Sequence, residues 1–277
     1  TADDRMQFPI VQMIGLNDTN YATKAQQVTN TFNLTMNRGL MQLYNRPSTN
    51  GAPAVLAGNV QLNGNADEVV FWTESQDLGA LTSNVRQMVF SGSFSGTGGF
   101  TKVASGEMTM VGVNPLTGLI NVNRGFDRGY GRYGGVALRD GGRLTGVAGL
   151  NLIRNGSFYI DNSSVNHPDR VNDDAWLTAR GRTRFEMMGN ALAPSSETIG
   201  AVTNLYGALF FELDANDATP QGQTLNLASL TRSQGGVISF HASDRRQGVW
   251  ATNAPLALRV NLLDGGASVT QVGSGAG

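Results

Sequence analysis

A short alternating apolar run, then Gly, Asn or Asp, then another such run, recurs along most of this chain. No other feature constrains its fold as strongly. Examples are Phe32–Met36, Val60–Leu62, Val69–Trp72, Val85–Phe90 and Met108–Val111. Later ones are Leu150–Ile153, Phe158–Ile160, Arg184–Met188, Leu209–Leu213, Leu225–Leu230, Val237–Phe240 and Leu256–Leu263. Alternation over a few residues, bounded by turn formers, is the pattern of a half-buried strand. Helical periodicity is nearly absent, and only Tyr21–Val28 could carry a short helix.

The runs follow one another mostly at about 8–12 residues, a spacing that suits a sandwich, a barrel or a solenoid. Two features favour the solenoid. The strands are short and numerous, and many turns carry a lone Gly or Asn, such as Gly106, Gly112 and Gly189-Asn190, in place of a two-residue hairpin signal. Solenoid corners need left-handed backbone, which Gly and Asn reach at low cost. Asn155-Gly156 could still close a true hairpin.

Three stretches resemble one another: Phe94–Lys102, Leu144–Leu152 and, more loosely, Leu225–Arg232. Each reads as strand, small corner, strand, which points to stacked rungs. At roughly 20–25 residues per rung, a typical repeat length, the chain holds about 11–14 rungs. The expected fold is all-β, a right-handed parallel β-helix forming one domain over residues 1–277. Residues 91–134 hold its clearest repeat, and residues 1–60 are a candidate N-terminal cap or assembly segment.

Composition narrows the function. Charged residues make up 15% of the chain and the formal net charge is −1, so nothing electrostatic draws it to nucleic acid or an anionic membrane. No Cys is present, which excludes disulfides and thiolate metal sites. No apolar run is long enough for a membrane-spanning helix. A start at Thr1 fits a processed secreted chain and a fragment boundary equally.

The stretch Ser91–Gly134 is similar to the autotransporter-associated β-strand repeat, also called the passenger-associated transport repeat. Phe100-Thr101-Lys102-Val103 stands at that pattern's opening, Gly106-Glu107-Met108-Thr109-Met110 at its strand, Gly112–Gly118 at its corner and Val122-Asn123-Arg124-Gly125 at its close. Ser105 and Leu116 depart mildly from it. Asp169–Asp173, Ser196–Ala201 and Leu227–Arg232 resemble the segments between such repeats. The resemblance implies an extracellular β-helix of a bacterial surface or secreted protein, and it carries no catalytic residues over to this chain.

Paired carboxylates can cleave glycosidic bonds when suitably spaced, and the pairs available are Asp3-Asp4, Asp67-Glu68 and Asp173-Asp174. Neighbours in a strand point to opposite faces, so these read as solvated turn acids. Asp214-Ala215-Asn216-Asp217 has the acidic alternation of a calcium loop but lacks its Gly and distant Glu, and reads as a turn. His167 is expected in a surface turn and His241 at a strand edge. Gly92-Ser93-Phe94-Ser95-Gly96 imitates a nucleophile elbow without the helix that motif needs. Gly96-Thr97-Gly98-Gly99 precedes a strand and reads as a corner, not a phosphate cradle. The cluster Arg124, Arg128, Tyr130, Arg132 and Tyr133 could bind glycan or a neighbouring subunit, with a solvated loop as the plainer reading. Sequons at Asn17, Asn33, Asn155 and Asn162 are expected by chance in an Asn- and Thr-rich chain.

No catalytic, cofactor-binding or metal residue is therefore assigned. Ala267–Gly277 offers no capping helix, so head-to-tail stacking of copies is physically easy. The expected function is a self-assembling subunit of an extracellular fibre, sheath or layer, with the chain itself as partner. The alternatives are the stalk of an adhesin that binds glycans or surfaces, and a polysaccharide-active enzyme on the same fold.

Overall fold

The structure, a computed structural model, describes residues 10–15, 29–45, 54–75, 87–123, 135–214, 221–233, 235–243, 256–260 and 269–273. These residues hold strands and no helix, and the strands stack in parallel as the coils of a β-solenoid. The residues of the expected helix at Tyr21–Val28 lie outside the described ones, as do Asp3, Asp4, Asn17 and the Arg124–Tyr133 cluster.

Each early coil has three sides. The first sheet begins with Ile10–Gly15, Gly39–Asn45, Val69–Ser75 and Phe100–Val103. It continues through Leu119–Asn123, Gly149–Ile153 and Trp176–Arg180. The second sheet runs from Thr29–Asn30 through Ala54–Leu56, Gln87–Phe90, Glu107–Met110 and Val136–Leu138 to Ser157–Asp161 and Thr183–Met188. Short strands at Leu34–Met36, Val60–Leu62, Phe94–Ser95, Val113–Asn114 and Arg143–Leu144 make the third side, which ends at Val171, bridged to Leu144. Six three-sided turns result among the described residues, fewer than the repeat length predicted. Register partners in the first sheet lie between 20 residues (Phe100↔Ile120) and 33 residues (Gln223↔Leu256) apart, so the coils are unequal and mostly longer than expected.

After residue 190 the coil simplifies. Ser195–Asp214 is one long strand whose first half joins the first sheet and whose second half joins the second. It turns between them at Gly207, where φ is +78° and a Cβ would lie 2.5 Å from the carbonyl oxygen of Gly181. Only Gly meets both demands cheaply. Gln223–Arg232, Gly236–Ser243 and Leu256–Val260 continue the two sheets.

Phe100, Ile120 and Leu150 are successive register partners, so Phe94–Lys102 and Leu144–Leu152 occupy equivalent positions two coils apart. The third copy reaches the same place in the first sheet, since Leu150, Leu177, Val202 and Leu230 are successive register partners, but Gln223–Arg232 is a single strand without a corner, irregular only where Gly200 and Ala228 fall between paired residues. Asn155-Gly156 is no hairpin either. Arg154 and Asn155 at φ +45° and +70° turn the chain from a first-sheet strand into a second-sheet one.

Alternation sends every second side chain inward. One inward column of the second sheet reads Met88, Met108, Val136, Phe158, Phe185, Phe211 and Phe240. Earlier coils centre on Phe71, Phe90, Phe94 and Phe100, whose contacting rings lie 5.2–5.9 Å apart. Each fully buried Phe contributes about 1.5–3 kcal/mol through area removed from water. Unlike rungs bury alike because core position, not identity, repeats.

The ends differ. Val269–Gly273, within the stretch expected to leave the end uncapped, pairs antiparallel with Leu256–Val260 and terminates the parallel ladder of the first sheet. The second sheet ends among the described residues at Gly236–Ser243, where inward-facing Phe240 stacks on Phe211 at 5.5 Å yet stays 38% exposed.

Candidate functional site

Three polar arrangements stand out against this apolar core. The first joins two stretches singled out in sequence. Arg170 and Val171 pair on one side with Leu144, whose N–H donates to the Arg170 carbonyl. On the other side no strand follows. The Glu197 carboxylate fills that place, accepting the N–H of Arg170 at 2.9 Å and of Val171 at 3.2 Å. Burial pushes the Glu197 carboxyl up to about 8, against the pull of the N–H donors of Arg170, Val171 and Thr198. The Arg170 side chain is itself buried and donates to Asn162 Oδ1 and to the carbonyls of Gly142, Asp161 and Val165. Burial brings it down to about 10, which leaves it cationic at neutral pH.

Carboxylate oxygens of Asp169, Asp173 and Glu197 lie within 4.8 Å of one another. Both Glu197 oxygens already accept backbone N–H groups, and Asp169 and Asp173 are exposed, so this arrangement reads as closure of the third side. Burial and the neighbouring Asp169 and Asp174 raise the Asp173 carboxyl.

The second arrangement lies on the outward side of the second sheet. Arg139 donates to both carboxylate oxygens of Glu107, at 3.1 and 3.3 Å, and to Asp161. Its guanidinium also sits 4.8 Å over the Tyr159 ring. Burial alone would lower the Arg139 pKa, but Glu107, Tyr159 and Asp161 more than offset it and hold it above the ordinary value. Arg184 makes a similar bridge to Glu212, at 3.1 Å, on later coils. Such buried, paired charges are costly to break singly.

The third is a groove of about 420 Å3 on the outward side of the first sheet, crossing five successive coils. Asp67, Asn121, Asn151 and Arg180 line it. Asn121 donates to Asp67 Oδ1 at 3.0 Å and to Thr101 Oγ1 at 3.1 Å, and Asn151 donates to Asn121 Oδ1 at 2.8 Å. The floor needs Gly at the corners: a Cβ on Gly118 would lie 2.3 Å from Gly98 backbone atoms.

The remaining candidates fall apart. Asp67 and Glu68 are exposed turn residues, with Glu68 accepting the Asn65 N–H. Asp174 is exposed in the turn that carries Asp173. Asp214 is buried at a strand end, and Ala215–Asp217 lie outside the described residues. His241 lies in the last second-sheet strand with Nε2 2.8 Å from Ser239 Oγ. His167 sits in a half-buried loop, where burial and then Arg170 and Arg143 lower its pKa. Ser93 Oγ donates to the Val113 carbonyl, Phe94 is core, and the strand Phe100–Val103 follows Gly96–Gly99. Asn162 is a fully buried acceptor for Arg170.

Glu197, Arg170, Arg139 and buried Lys102 were not picked out as special in the sequence. The legible signal was a charge inside an alternating run at an inward or strand position, as in Phe100-Thr101-Lys102-Val103. The geometry defines the class as a parallel β-solenoid. No family model, curated protein or solved structure matches the chain. Among the described residues no helix is long and apolar enough to cross a membrane.

Proposed function

We propose that this chain is a structural subunit of a bacterial extracellular fibre, sheath or surface layer, in which copies join end to end through the free edges of their sheets. The carrying observation is the exposed end of the Phe column. Phe158, Phe185, Phe211 and Phe240 follow one another in ring contact, and Phe240, the last among the described residues, keeps part of its ring exposed. A free strand edge with an apolar face is a template for further pairing. At the other end Ile10–Gly15 has one strand partner among the described residues, Leu40–Asn45. Contact between unlike ends is heterologous, and a heterologous contact that does not close gives a filament. The extracellular and bacterial parts of the reading rest on the likeness of Ser91–Gly134 to the autotransporter-associated repeat.

Negative-stain electron microscopy and sedimentation of purified protein at physiological salt test this reading. Uniform filaments that disappear in Phe240→Lys, with the monomer still folded, are the expected result. Single rods at all concentrations would overturn assembly and favour the adhesin stalk. Release of reducing ends from a polysaccharide would favour the enzyme.

A further inference from the structure

We infer that the groove on the outward side of the first sheet is a binding site for a neutral oligosaccharide. This inference does not depend on end-to-end assembly, because the groove lies along the flank and not at an end.

The lining suits sugar hydroxyls. The hydrogen bonds from Asn151 to Asn121 and from Asn121 to Asp67 fix the orientation of both amides before any ligand arrives. Among the described residues one oxygen of Asp67 and the amide oxygen of Asn151 remain as acceptors, and the exposed Arg180 guanidinium has no hydrogen-bond or ion-pair partner. Pre-ordered groups spare the ligand the entropy of arranging them.

An aromatic platform adjoins the polar row. Leu119, Gly149 and Trp176 are register partners on the outward side, and Leu119 lines the groove. The Trp176 indole lies across Gly149 so closely that a Cβ there would be 2.4 Å from ring atoms. An indole on the same side of the sheet, over Gly149 two positions from Asn151, offers an apolar face for sugar C–H groups next to polar groups for hydroxyls.

Charge and shape select the class. One carboxylate and one guanidinium cancel, so nothing favours a polyanion. Coils repeat at about 4.8 Å along the axis, a step close to the length of one sugar residue in a chain. A groove crossing five coils therefore matches a short oligosaccharide running along the solenoid.

Isothermal titration with hexasaccharides of α-1,4-glucan, β-1,4-glucan, β-1,3-glucan and β-1,4-mannan tests this, with a polyuronate hexasaccharide as the acidic comparison. The expected result is binding of at least one neutral probe, weakened roughly tenfold in Asn151→Ala and again in Arg180→Ala, a loss of about one good hydrogen bond each. Both side chains lie outside the core, so circular dichroism should show each variant folded. Absence of binding by every neutral probe at millimolar concentration would overturn the inference. So would binding of the polyuronate alone, or binding unchanged in the Asn151→Ala, Arg180→Ala double variant. Filament formation is scored separately on the same variants, and its loss or persistence leaves this result standing.

Discussion

Glu197 accepts the backbone N–H of Arg170 at 2.9 Å with one carboxylate oxygen and that of Val171 at 3.2 Å with the other, standing where the next strand of the third side would otherwise pair. A side chain thus ends one of three ladders while the other two continue. Buried N–H groups left without acceptors each cost about 1–3 kcal/mol, which explains an acid in an otherwise apolar setting.

Replacing Glu197 separates its two roles. Glu197→Ala leaves both N–H groups unpaired and should destabilise the fold by about 2–5 kcal/mol in urea unfolding. Its raised pKa also sets a pH slope. The unfolded carboxyl ionises near 4.5 and the folded one near 8, so the unfolded state binds fewer protons in between and stability falls as pH rises from about 4.5 to 8. Thermal melts across that range should show this slope in wild type and a flatter one in Glu197→Gln.

Arg139 neutralises Glu107 and Asp161 on adjacent coils. Arg139→Met should cost about 3–5 kcal/mol at neutral pH, because two buried carboxylates lose their shared cation. Burial works against the Asp161 charge, but Arg139 and the Ser163 hydrogen bonds hold its pKa below 3.8. Its contribution is present above that value and is lost as pH falls through the folded pKa. Urea titrations at neutral and strongly acidic pH should therefore show a smaller difference between wild type and Arg139→Met in acid.

Lys102 occupies an inward column between Phe71 and Val122 and donates to the Ala104 carbonyl. Burial lowers its pKa well below 10.5, with Glu107 opposing. The unfolded lysine binds its proton more tightly, so this group's effect on stability improves as pH rises towards 10.5. Lys102→Met should match or exceed wild-type stability at neutral pH, by up to about 4 kcal/mol, and lose that pH slope. A melting temperature well below wild type would contradict this account.

The Phe column gives a graded comparison. Phe185→Ala should cost about 3–5 kcal/mol, as expected for a fully buried ring that leaves a cavity. Phe240→Ala should cost the monomer markedly less, because its ring is already partly in water. Equal losses in denaturant titrations would mean that Phe240 is covered in solution.

Much of the fold was legible because the alternation within a strand is local. Val60-Gln61-Leu62 announces an inward and an outward side without reference to any neighbour. The two-residue strands of the third side were not legible, since Val113-Asn114 and Arg143-Leu144 are too short to show a period. Gln223–Arg232 misled for the opposite reason: small residues at Ala228 and Ser229 imitate a corner within a continuous strand.

The candidate sites were the least legible part. Asp67, Asn121 and Asn151 are 54 and 30 residues apart in sequence, and only the winding of the coil aligns them in hydrogen-bonding contact. The stretches Asp169–Asp173 and Ser196–Ala201 could be singled out separately, yet nothing local says that Glu197 serves Arg170.

By itself, then, the sequence determined the all-β solenoid class, because alternation and turn residues act over a few positions and survive without tertiary information. Only the tertiary structure decided coil length, the loss of the third side after Val171, the antiparallel end at Val269–Gly273 and the groove along the first sheet. These depend on which coil lies beside which. Loops of unequal length can join the same strands, so register is settled by packing of inward columns and by the pairing of buried N–H groups.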